Sequence, residues 1–587
     1  MKRYAPQILS ALLVVSGFIL LYENISYKPL SLLYGVLRGG ALNVEIIHRL
    51  AYNCIWYGFL ALVLSFCFRI ENRSWEGNGR YVNVIFITAT VIILGMYSWY
   101  AFNLKSAIIN GLRYWWLIDD EMISMRYARN LVNGLGLVWN PGERVEGFTN
   151  FLWTMYMSLV HLLPVSAAKA SLPMLITSIL LVICTTYLVV RITRLLGGNT
   201  LEILLIALAF VMNLDVIFCT LDGFESIPIM FLTLLVIYLV LKAKDKHKIP
   251  IGVFIAISAI SLLRADGLVI SLMLYGLVII AHPDRKGNVL KSLIFLVIPE
   301  IYLIFRLGYY GELLPNTAYL KVMNWNGRLD VGLKYLVKFV SHYLLLIALM
   351  FIYAIKTRRM EALYLCLCFV VYCGYIAWVG GDNFLNNRFF MPFITIIIIF
   401  GILGLRLIGL RAKWLPLAYM LMFLTLPLQT PYTISRPLEP EKCNIGNIEI
   451  GLYLKENTPQ ECTVADFWAG SVFYFSDRKG VDLLGKMDPY IAKLDANKTS
   501  RLPGHNKYDF DYSLGILKPD VLVASFNREQ ARDGDKLPVE GNEGFKGLLY
   551  RNAVFRDYYR GNPINLNTWR QLYIRKDSRL HECEEIR

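Results

Sequence analysis

The stretch YWWLIDDEMISMRYARNLVNGLGLVWNPGERVEGFTNF, Tyr114–Phe151, places three acidic side chains in a row directly after an apolar run. They are Asp119, Asp120 and Glu121, and many further apolar runs follow them. An ionised group close to hydrocarbon is costly, so residues of this kind usually serve a function. Their role depends on which other residues share their side of the membrane.

The composition is typical of a protein with many membrane spans. The chain has 587 residues, of which 56% are hydrophobic and only 18% charged. Its net charge of +15 would suggest nucleic acid for a soluble protein. In a membrane protein, however, basic residues collect in cytoplasmic loops and at lipid headgroups. We therefore expect no nucleic-acid partner.

Apolar runs predict an all-α membrane bundle of about 13 spans, each needing roughly 20 apolar residues. The runs are 6–22, 47–68, 83–104, 167–190, 200–218, 225–241, 250–264, 267–281, 290–309, 333–355, 361–380, 389–405 and 414–429. The pair 250–264 and 267–281 is short and is interrupted by Arg264, Asp266 and Gly267. The apolar segment Thr149–Leu163 is too short to span and is rich in aromatic residues, so it predicts a juxtamembrane helix.

The distribution of basic residues predicts the orientation. With Lys2 and Arg3 in the cytoplasm, every loop predicted on that side is basic. These loops carry Arg69, Arg73, Arg80, Arg191, Arg194, Lys242, Lys244, Lys246, Lys248, Arg285, Lys286, Lys356, Arg358, Arg359, Arg406, Arg411 and Lys413. The acidic triplet and the C-terminal region then lie on the outer side. We expect a multi-pass protein of the bacterial inner membrane with a periplasmic C-terminal domain.

The chain becomes polar beyond about residue 430, where strand and helix patterns alternate. The segment CTVADFWAGSVFYFSDRKGVDLLG predicts strand, helix, strand, and DYSLGILKPDVLVAS predicts helix, then strand. The expected domains are N-terminal spans (1–110), a first periplasmic loop (111–166), a transmembrane core (167–430) and a soluble α/β domain (431–587). Among Cys443, Cys462 and Cys583, a disulfide would form most readily between Cys443 and Cys462.

The unusual polar motifs fall on the predicted outer side, which is the arrangement expected of one outward-facing cavity. They are IDDEM, LDGFES, LLRADG, YYGELLPNTAYLK and GGDNFLNNRFF. The residues that we expect to line the cavity are Glu121, Arg126, Glu225, Arg264, Asp266, Tyr310, Asn316 and Asp382.

Paired acids suit group transfer, because one carboxylate can accept a proton from an attacking hydroxyl while the other orients it or binds a metal. Asp119 and Asp120 are the catalytic candidates, with Asp119 preferred as the base. A divalent cation on Asp120 is the one cofactor that this pattern leaves open. The alternative for the pair is a hydrated turn or a helix N-terminus, where acids are favoured.

Cations among the same motifs could bind a phosphate group. Lys321 supplies a point charge and Arg388 a planar fork, although each could equally be an interfacial anchor. Arg264 and Asp266 more readily pair with each other, and Glu225 could be a helix cap as well as a site residue. No P-loop, dinucleotide fingerprint or H-E-x-x-H motif is present in the sequence.

At these motifs the chain resembles the polyprenyl-phosphate-sugar-dependent glycosyltransferases of the C fold (GT-C). The similarity is to mycobacterial arabinofuranosyltransferase B and the related flagellar motor-control (ZomB-like) proteins. The long stretch from Asp119 to Trp153 carries it, and DGFES, LLRADG, YYGELLPNTAYLK and GGDNFLNNRFFMPF follow in the same order. The acidic pair comes after the third predicted span rather than after the first, so the first two spans resemble an added hairpin.

The resemblance implies inverting transfer of a sugar, such as arabinofuranose, from a lipid-phosphate donor to an envelope glycan or glycolipid. Carried over by position, Asp119 and Asp120 match the family's acidic pair, and Lys321 lies in its Pro-Asn-Thr segment. Two other functions remain open from the sequence. One is a transporter of lipid or solute, and the other is an assembly factor for a flagellar motor or another envelope machine.

Overall fold

The computed structural model describes residues 79–244, 249–384, 386–409, 418, 442–497, 503–525, 549, 552–559, 564–565 and 570–582. The spans predicted at 6–22, 47–68 and 414–429 lie outside these residues, as do Lys246 and Cys583.

The chain forms a helical bundle followed by a region of mixed helices and strands. The helices are α1 Gly79–Leu104, α2 Asp119–Val132, α3 Phe151–His161, α4 Ser171–Leu195, α5 Thr200–Val211, α6 Leu214–Asp222, α7 Ser226–Lys242, α8 Ile251–Leu263, α9 Gly267–Ala281, α10 Arg285–Tyr310, α11 Asn316–Val322, α12 Arg328–Thr357, α13 Met360–Val379, α14 Met391–Arg406, α15 Lys442–Asn457, α16 Ser471–Ser476 and α17 Pro489–Lys493. The strands are β1 Ser106–Ile109, β2 Leu112–Trp115, β3 Thr463–Asp466, β4 Lys479–Asp482, β5 Val521–Ser525, β6 Ile564–Asn565 and β7 Arg570–Ile574.

Within the described ranges, 6 helices are long and apolar enough to cross a membrane. They are Tyr81–Leu104, Ser171–Leu195, Arg285–Tyr310, Arg328–Thr357, Met360–Val379 and Arg388–Arg406. Four shorter apolar helices, α5, α7, α8 and α9, lie between them along the chain. The short helix α3 occupies the segment predicted to be juxtamembrane.

The single span predicted at 200–218 is wrong, because the chain breaks there into α5 and α6. Asn213 begins the second helix, and its side-chain oxygen accepts a hydrogen bond from the Val216 N–H at 3.2 Å. An Asn at this position satisfies one of the free N–H groups at a helix start, so it favours a new helix over continuation of the old one. Apolar content alone cannot reveal such a break.

Helix α14 is the centre of the bundle. Its sequence, MPFITIIIIFGILGLR, is apolar on every side, which is the pattern of a helix surrounded by protein. Gly401 and Gly404 lie against the backbone of α12, where added Cβ atoms would come within 2.9 Å of the Leu346 oxygen and 2.2 Å of the Leu349 oxygen. Glycine at these two positions therefore permits close packing of α12 on α14.

Helix α10 lies at the edge of the bundle, and few of its apolar residues are buried. Leu290, Leu293, Ile301 and Ile304 on this helix are each more than half exposed, as expected for a surface that faces lipid. Pro299 interrupts the helix near its middle, where a proline removes one backbone hydrogen bond.

The C-terminal region contains a five-stranded sheet in the order β4-β3-β5-β7-β6. Strand β3 is parallel to β4 and β5, whereas β7 is antiparallel to β5 and β6. The segments β3, α16 and β4 follow the order expected from the sequence. Strands β3 and β4 end at Asp466 and Asp482, which are partners in the register. The loops after these two aspartates therefore leave the same edge of the sheet.

The Cys443–Cys462 disulfide, which the sequence leaves open, is not formed, because Cys462 is a buried free thiol. Cys462 packs in the core between β3 and the helices around it, with Val464, Val472 and Phe473 in the same cluster. It acts there as a small apolar side chain.

Candidate active site

The acidic triplet forms the first turn of α2. Acidic groups are favoured there because the N-terminus of a helix carries partial positive charge. The turn is held in place by Asp222 of the LDGFES motif, whose backbone oxygen accepts a hydrogen bond from the Ile118 N–H at 3.1 Å. The Asp222 carboxylate binds Lys105 at 2.6 Å and Asn386 at 3.0 Å. Asp222 thus joins α1, the start of α2 and the GGDNFLNNRFF motif.

Asp119 contacts the C-terminal region. Its Oδ1 accepts the Ser471 N–H at 2.8 Å and its Oδ2 accepts the Gly470 N–H at 3.1 Å, at the start of α16. Burial raises the pKa of Asp119 even though these two hydrogen bonds oppose the change. Both carboxylate oxygens are engaged by the backbone, and Asp119 is not among the residues that line the large cavity described below.

Asp120 lines that cavity and forms an ion pair with Lys486, whose Nζ lies 2.7 Å from Asp120 Oδ1. The Asp120 side chain is 26% exposed and that of Lys486 is 10% exposed. Burial would raise the pKa of Asp120, but Lys486, Arg388 and Lys321 together hold it well below its usual range. Asp120 is therefore ionised at neutral pH.

The cavity has a volume of about 640 Å³ and lies between α2, α8–α9, α10, α11 and α13. One part of its wall is apolar and borders the lipid-facing surface. Leu268, Leu313, Leu314 and Trp378 line this part and are each 39–54% exposed. The other part is polar and carries both cations and carboxylates. An amphipathic molecule could therefore place its apolar portion toward lipid and its charged group inside.

Lys321, Arg388 and Lys486 are cations of the cavity wall. Arg388 binds Asp382 through two hydrogen bonds of 2.5 and 3.1 Å and lies over the rings of Phe224 and Phe384, 4.3 Å from each centroid. Within the part of the chain that the structure describes, Lys321 has no ion pair. Burial lowers the pKa of Lys321. An anion that entered the cavity could therefore bind Lys321 without displacing a carboxylate.

The polar wall also contains Glu121, Glu225, Arg264 and Asp266. Arg264 binds Asp266 at 2.7 Å, as expected, and approaches Glu225 at 3.5 Å. Glu121 accepts a hydrogen bond from Asn150 Nδ2 at 3.0 Å. Burial and the nearby Glu225 raise the pKa of Glu121 well above its usual value. These side chains together offer both donors and acceptors of hydrogen bonds.

Four residues expected in the cavity wall do not line it. Arg126 is buried and donates to the backbone oxygens of Trp139, Phe473 and Arg478 at 2.7–2.8 Å. Tyr310 donates to the Leu137 oxygen at 2.8 Å, and Asp382 lies behind Arg388. Asn316 donates to the backbone oxygens of Gly485 and Lys486 at 2.9 and 3.0 Å. Arg126, Tyr310 and Asn316 therefore fix the loops around the cavity through backbone partners, whereas Asp382 fixes the Arg388 side chain.

Sequence reasoning misses several cavity residues, among them Lys486, Glu300 and Arg306. Lys486 lies in the polar tail, which was interpreted as a separate domain, so no local pattern connected it with Asp120. Arg306 carried a usable signal, since it is an ionisable residue inside the apolar run of α10. It lines the cavity and binds Glu146 at 2.6 Å.

The residues at Asp120 do not fit a divalent cation. One Asp120 oxygen already binds an ammonium group, and a Mg²⁺ or Ca²⁺ site requires several oxygen ligands. No group of three or more His, Cys, Asp or Glu side chains suited to a metal is present in the ranges that the structure describes.

Comparison with known proteins gives matches of two kinds. Residues 439–569 match a family described as a domain of unknown function, DUF8728. The chain is 28% identical over 249 residues to a terminal beta-(1->2)-arabinofuranosyltransferase of Mycobacterium tuberculosis, covering 40% of this chain and 37% of the relative. It is 28% identical over 331 residues to the enzyme of the same name from Corynebacterium glutamicum, covering 48% and 47%. The chain thus matches less than half the length of each of these relatives.

Among solved structures, the chain is similar to the archaeal oligosaccharyltransferase AglB of Archaeoglobus fulgidus, solved with an inhibitory peptide and a dolichol-phosphate. The TM-score is 0.52 at 12% sequence identity, over 77% of this chain and 70% of that one. This similarity concerns the fold, and together with the sequence matches it confirms the resemblance to arabinofuranosyltransferases and to the C fold. The resemblance to flagellar motor-control proteins stays a prediction. The chain has the fold of the membrane glycosyltransferases of the C fold.

Proposed function

We propose that the protein transfers a sugar from a polyprenyl-phosphate donor to a hydroxyl group of an envelope glycan or glycolipid. The names of the two sequence relatives favour a pentofuranose such as arabinofuranose as the sugar. The basic loops predicted in the cytoplasm favour the periplasmic side of a bacterial inner membrane as the place of transfer. The flagellar assembly role remains a separate prediction.

One observation carries the proposal. A single cavity combines an ionised carboxylate, Asp120, with the three cations Lys321, Arg388 and Lys486, and it borders the lipid-facing surface through Leu268, Leu313 and Trp378. A lipid-linked sugar phosphate needs these features together. Its chain requires an apolar wall, its phosphate requires cations, and the acceptor requires a proton acceptor.

The proposed reaction is a direct displacement at the anomeric carbon. The acceptor oxygen attacks the anomeric carbon from the face opposite the phosphate, so the configuration at that carbon inverts. The bond from the anomeric carbon to the phosphate oxygen breaks, and its electron pair stays on the polyprenyl phosphate. Asp120 takes the proton of the attacking hydroxyl, and the cations stabilise the charge that develops on the phosphate.

The position of the two aspartates supports Asp120 as the base, rather than Asp119, which the sequence favours. Asp120 faces the cavity, whereas the oxygens of Asp119 are occupied by Gly470 and Ser471. Glu121 and Glu225, with Arg264 and Asp266, are suited to bind sugar hydroxyls, because they present acceptors and donors side by side.

The direct test uses the purified protein in lipid nanodiscs with a polyprenyl-phosphate arabinofuranose and a glycan acceptor. Mass spectrometry should detect a lengthened glycan and free polyprenyl phosphate. Envelope glycans from cells with and without the gene should differ by the sugar transferred. The proposal would be contradicted if the purified protein transferred neither pentose nor hexose from a lipid phosphate and if loss of the gene altered no envelope glycan.

A further inference from the structure

The proposed base is already occupied in this structure. Asp120 Oδ1 lies 2.7 Å from Lys486 Nζ, and a carboxylate that binds an ammonium group is a weaker proton acceptor than one that does not. Lys486 comes from the region that matches DUF8728, 366 residues away along the chain. The ion pair therefore joins the C-terminal region to the acidic turn of α2.

The backbone around Lys486 is held on two sides. Asp482, at the end of β4, accepts the N–H groups of Leu484 and Met487 at 3.0 and 2.8 Å. Asn316, at the start of α11, donates to the oxygens of Gly485 and Lys486. Gly485 turns the chain with a φ of 78°, which favours glycine. The loop is thus fixed, and reorientation of the long Lys486 side chain is the movement that its anchoring permits.

Asn316 also connects Lys486 to a second cation of the cavity. It begins α11, the 7-residue helix that carries Lys321. The Asn316 side chain binds the Lys486 backbone, and Asn316 lies in the same short helix as Lys321. The backbones of the two lysines are therefore held in a fixed relation to each other. The two lysines enter the cavity from different regions of the chain.

The charged groups around Asp120 would allow an anion in the cavity to replace Asp120 as the partner of Lys486. The cations that act on it are Lys486, Arg388 and Lys321, the neighbouring ring is that of His505, and Asp119 and Glu121 flank it on α2. Among the described residues, Asp120 is the one hydrogen-bond partner of Lys486 Nζ. A phosphate group carries more charge and more acceptor oxygens than a carboxylate, so it can compete for the ammonium group.

We infer that Lys486 binds the phosphate of the donor and that Asp120 is its partner only while the donor is absent. On this inference, which rests on the proposed function, the arriving phosphate takes Lys486 from Asp120. The carboxylate is then free to accept the proton of the acceptor hydroxyl. The C-terminal region thus supplies a substrate-binding residue, and Asp120 becomes available as the base when the donor is bound.

The test measures binding of polyprenyl phosphate, without any sugar, to the full-length protein in nanodiscs. Lys486→Met should weaken binding about tenfold, the effect of losing one charge-assisted hydrogen bond. Asp120→Asn should strengthen binding several-fold, roughly the effect of a weak hydrogen bond, because Lys486 no longer has to leave a carboxylate. In the double variant, the change at Asp120 should have no further effect.

The double variant separates exchange from simple repulsion. If Asp120→Asn strengthens binding equally with Lys486 or Met at position 486, Asp120 only repels the phosphate and the inference is wrong. If Lys486→Met leaves binding unchanged, the ion pair is merely structural and the inference is wrong. If the native protein does not bind polyprenyl phosphate at all, the proposed function fails and the inference with it.

The matched control is Lys493→Met. Lys493 lies in the same region and pairs with Glu312 at 2.6 Å, but both side chains are more than a third exposed and neither lines the cavity. This variant should bind the lipid like the native protein. Thermal melting reports whether each variant is folded, and Lys486→Gln replaces Lys486→Met in the double variant if the Met protein does not fold.

Discussion

Asp119 accepts the backbone N–H of Ser471 at 2.8 Å although 352 residues separate the two positions in the sequence. Its neighbour Asp120 binds Lys486 in the loop that follows the adjacent parallel strand. Two consecutive aspartates on α2 thus hold two consecutive loops at one edge of the sheet. This is a physical reason for their adjacency, because strands β3 and β4 lie side by side and present both loops to the same helix end.

The two aspartates should respond differently to the same substitution. Asp120→Asn removes the proton acceptor, so we expect transfer to fall by about a hundredfold or more while donor binding persists. Asp119→Asn loses one acceptor for a backbone N–H, so we expect a lower melting temperature, about 1–3 kcal/mol of lost stability, with transfer largely retained. Turnover and thermal melting of both variants check this. The reverse pattern would restore Asp119 as the base.

Lys321→Ala should mainly affect the donor. Lys321 lines the cavity and has no ion pair within the described ranges, so its removal takes one cation from the phosphate without stranding a buried carboxylate. We expect the donor KM to rise about tenfold with a smaller change in kcat. Lys334→Ala is the control, because Lys334 forms an exposed pair with Asp330. An unchanged KM and kcat for Lys321→Ala would make this lysine an interfacial anchor.

Arg126→Met should reduce stability rather than substrate affinity. The Arg126 side chain is buried and donates to three backbone oxygens and to Asn140. Methionine fills a similar volume but leaves these acceptors unpaired, which costs roughly 3 kcal/mol or more. A clear drop in the melting temperature is expected, whereas Arg144→Met on the exposed surface should change it little. A selective increase of KM with normal melting would instead place Arg126 at the substrate.

His505 should make the protein sensitive to acid. Burial and the nearby Lys486 lower the pKa of His505 from 6.5 to about 4. Between these two pH values the unfolded chain binds more protons than the folded one, so stability should fall as the pH decreases from 6.5 to 4. His505→Gln should flatten the melting temperature over this range. Identical pH profiles for the two proteins would show that His505 does not contribute.

Cysteine labelling tests the orientation. Arg144 and Lys286 are both exposed, and they lie in loops predicted on opposite sides of the membrane. In cells with a permeabilised outer membrane, Arg144→Cys should react with a membrane-impermeant thiol reagent and Lys286→Cys should react only after lysis. Labelling of position 286 in unlysed cells would reverse the topology and remove the proposed site from the periplasm.

The sequence determined the helical bundle and identified several of the polar motifs that the cavity brings together. Apolar length predicts a span because every backbone polar group in lipid must be paired within its own helix, so the signal is local. The predicted spans from 83 to 405 correspond in position to helices α1, α4, α5, α7–α10 and α12–α14, with the one break at Asn213. The motifs around Asp120, Lys321 and Arg388 were identified for the same reason, since polar residues at span ends stand out from their neighbours.

Only the tertiary structure decided which of these residues face the cavity. The difference between Asp119 and Asp120 arises from two loops that lie about 350 residues further along the chain, and Lys486 has no unusual sequence neighbours. Whether a side chain points to a cavity or to a backbone N–H depends on how the sheet is set against α2. That arrangement results from packing between distant segments, and no local pattern of residues encodes it.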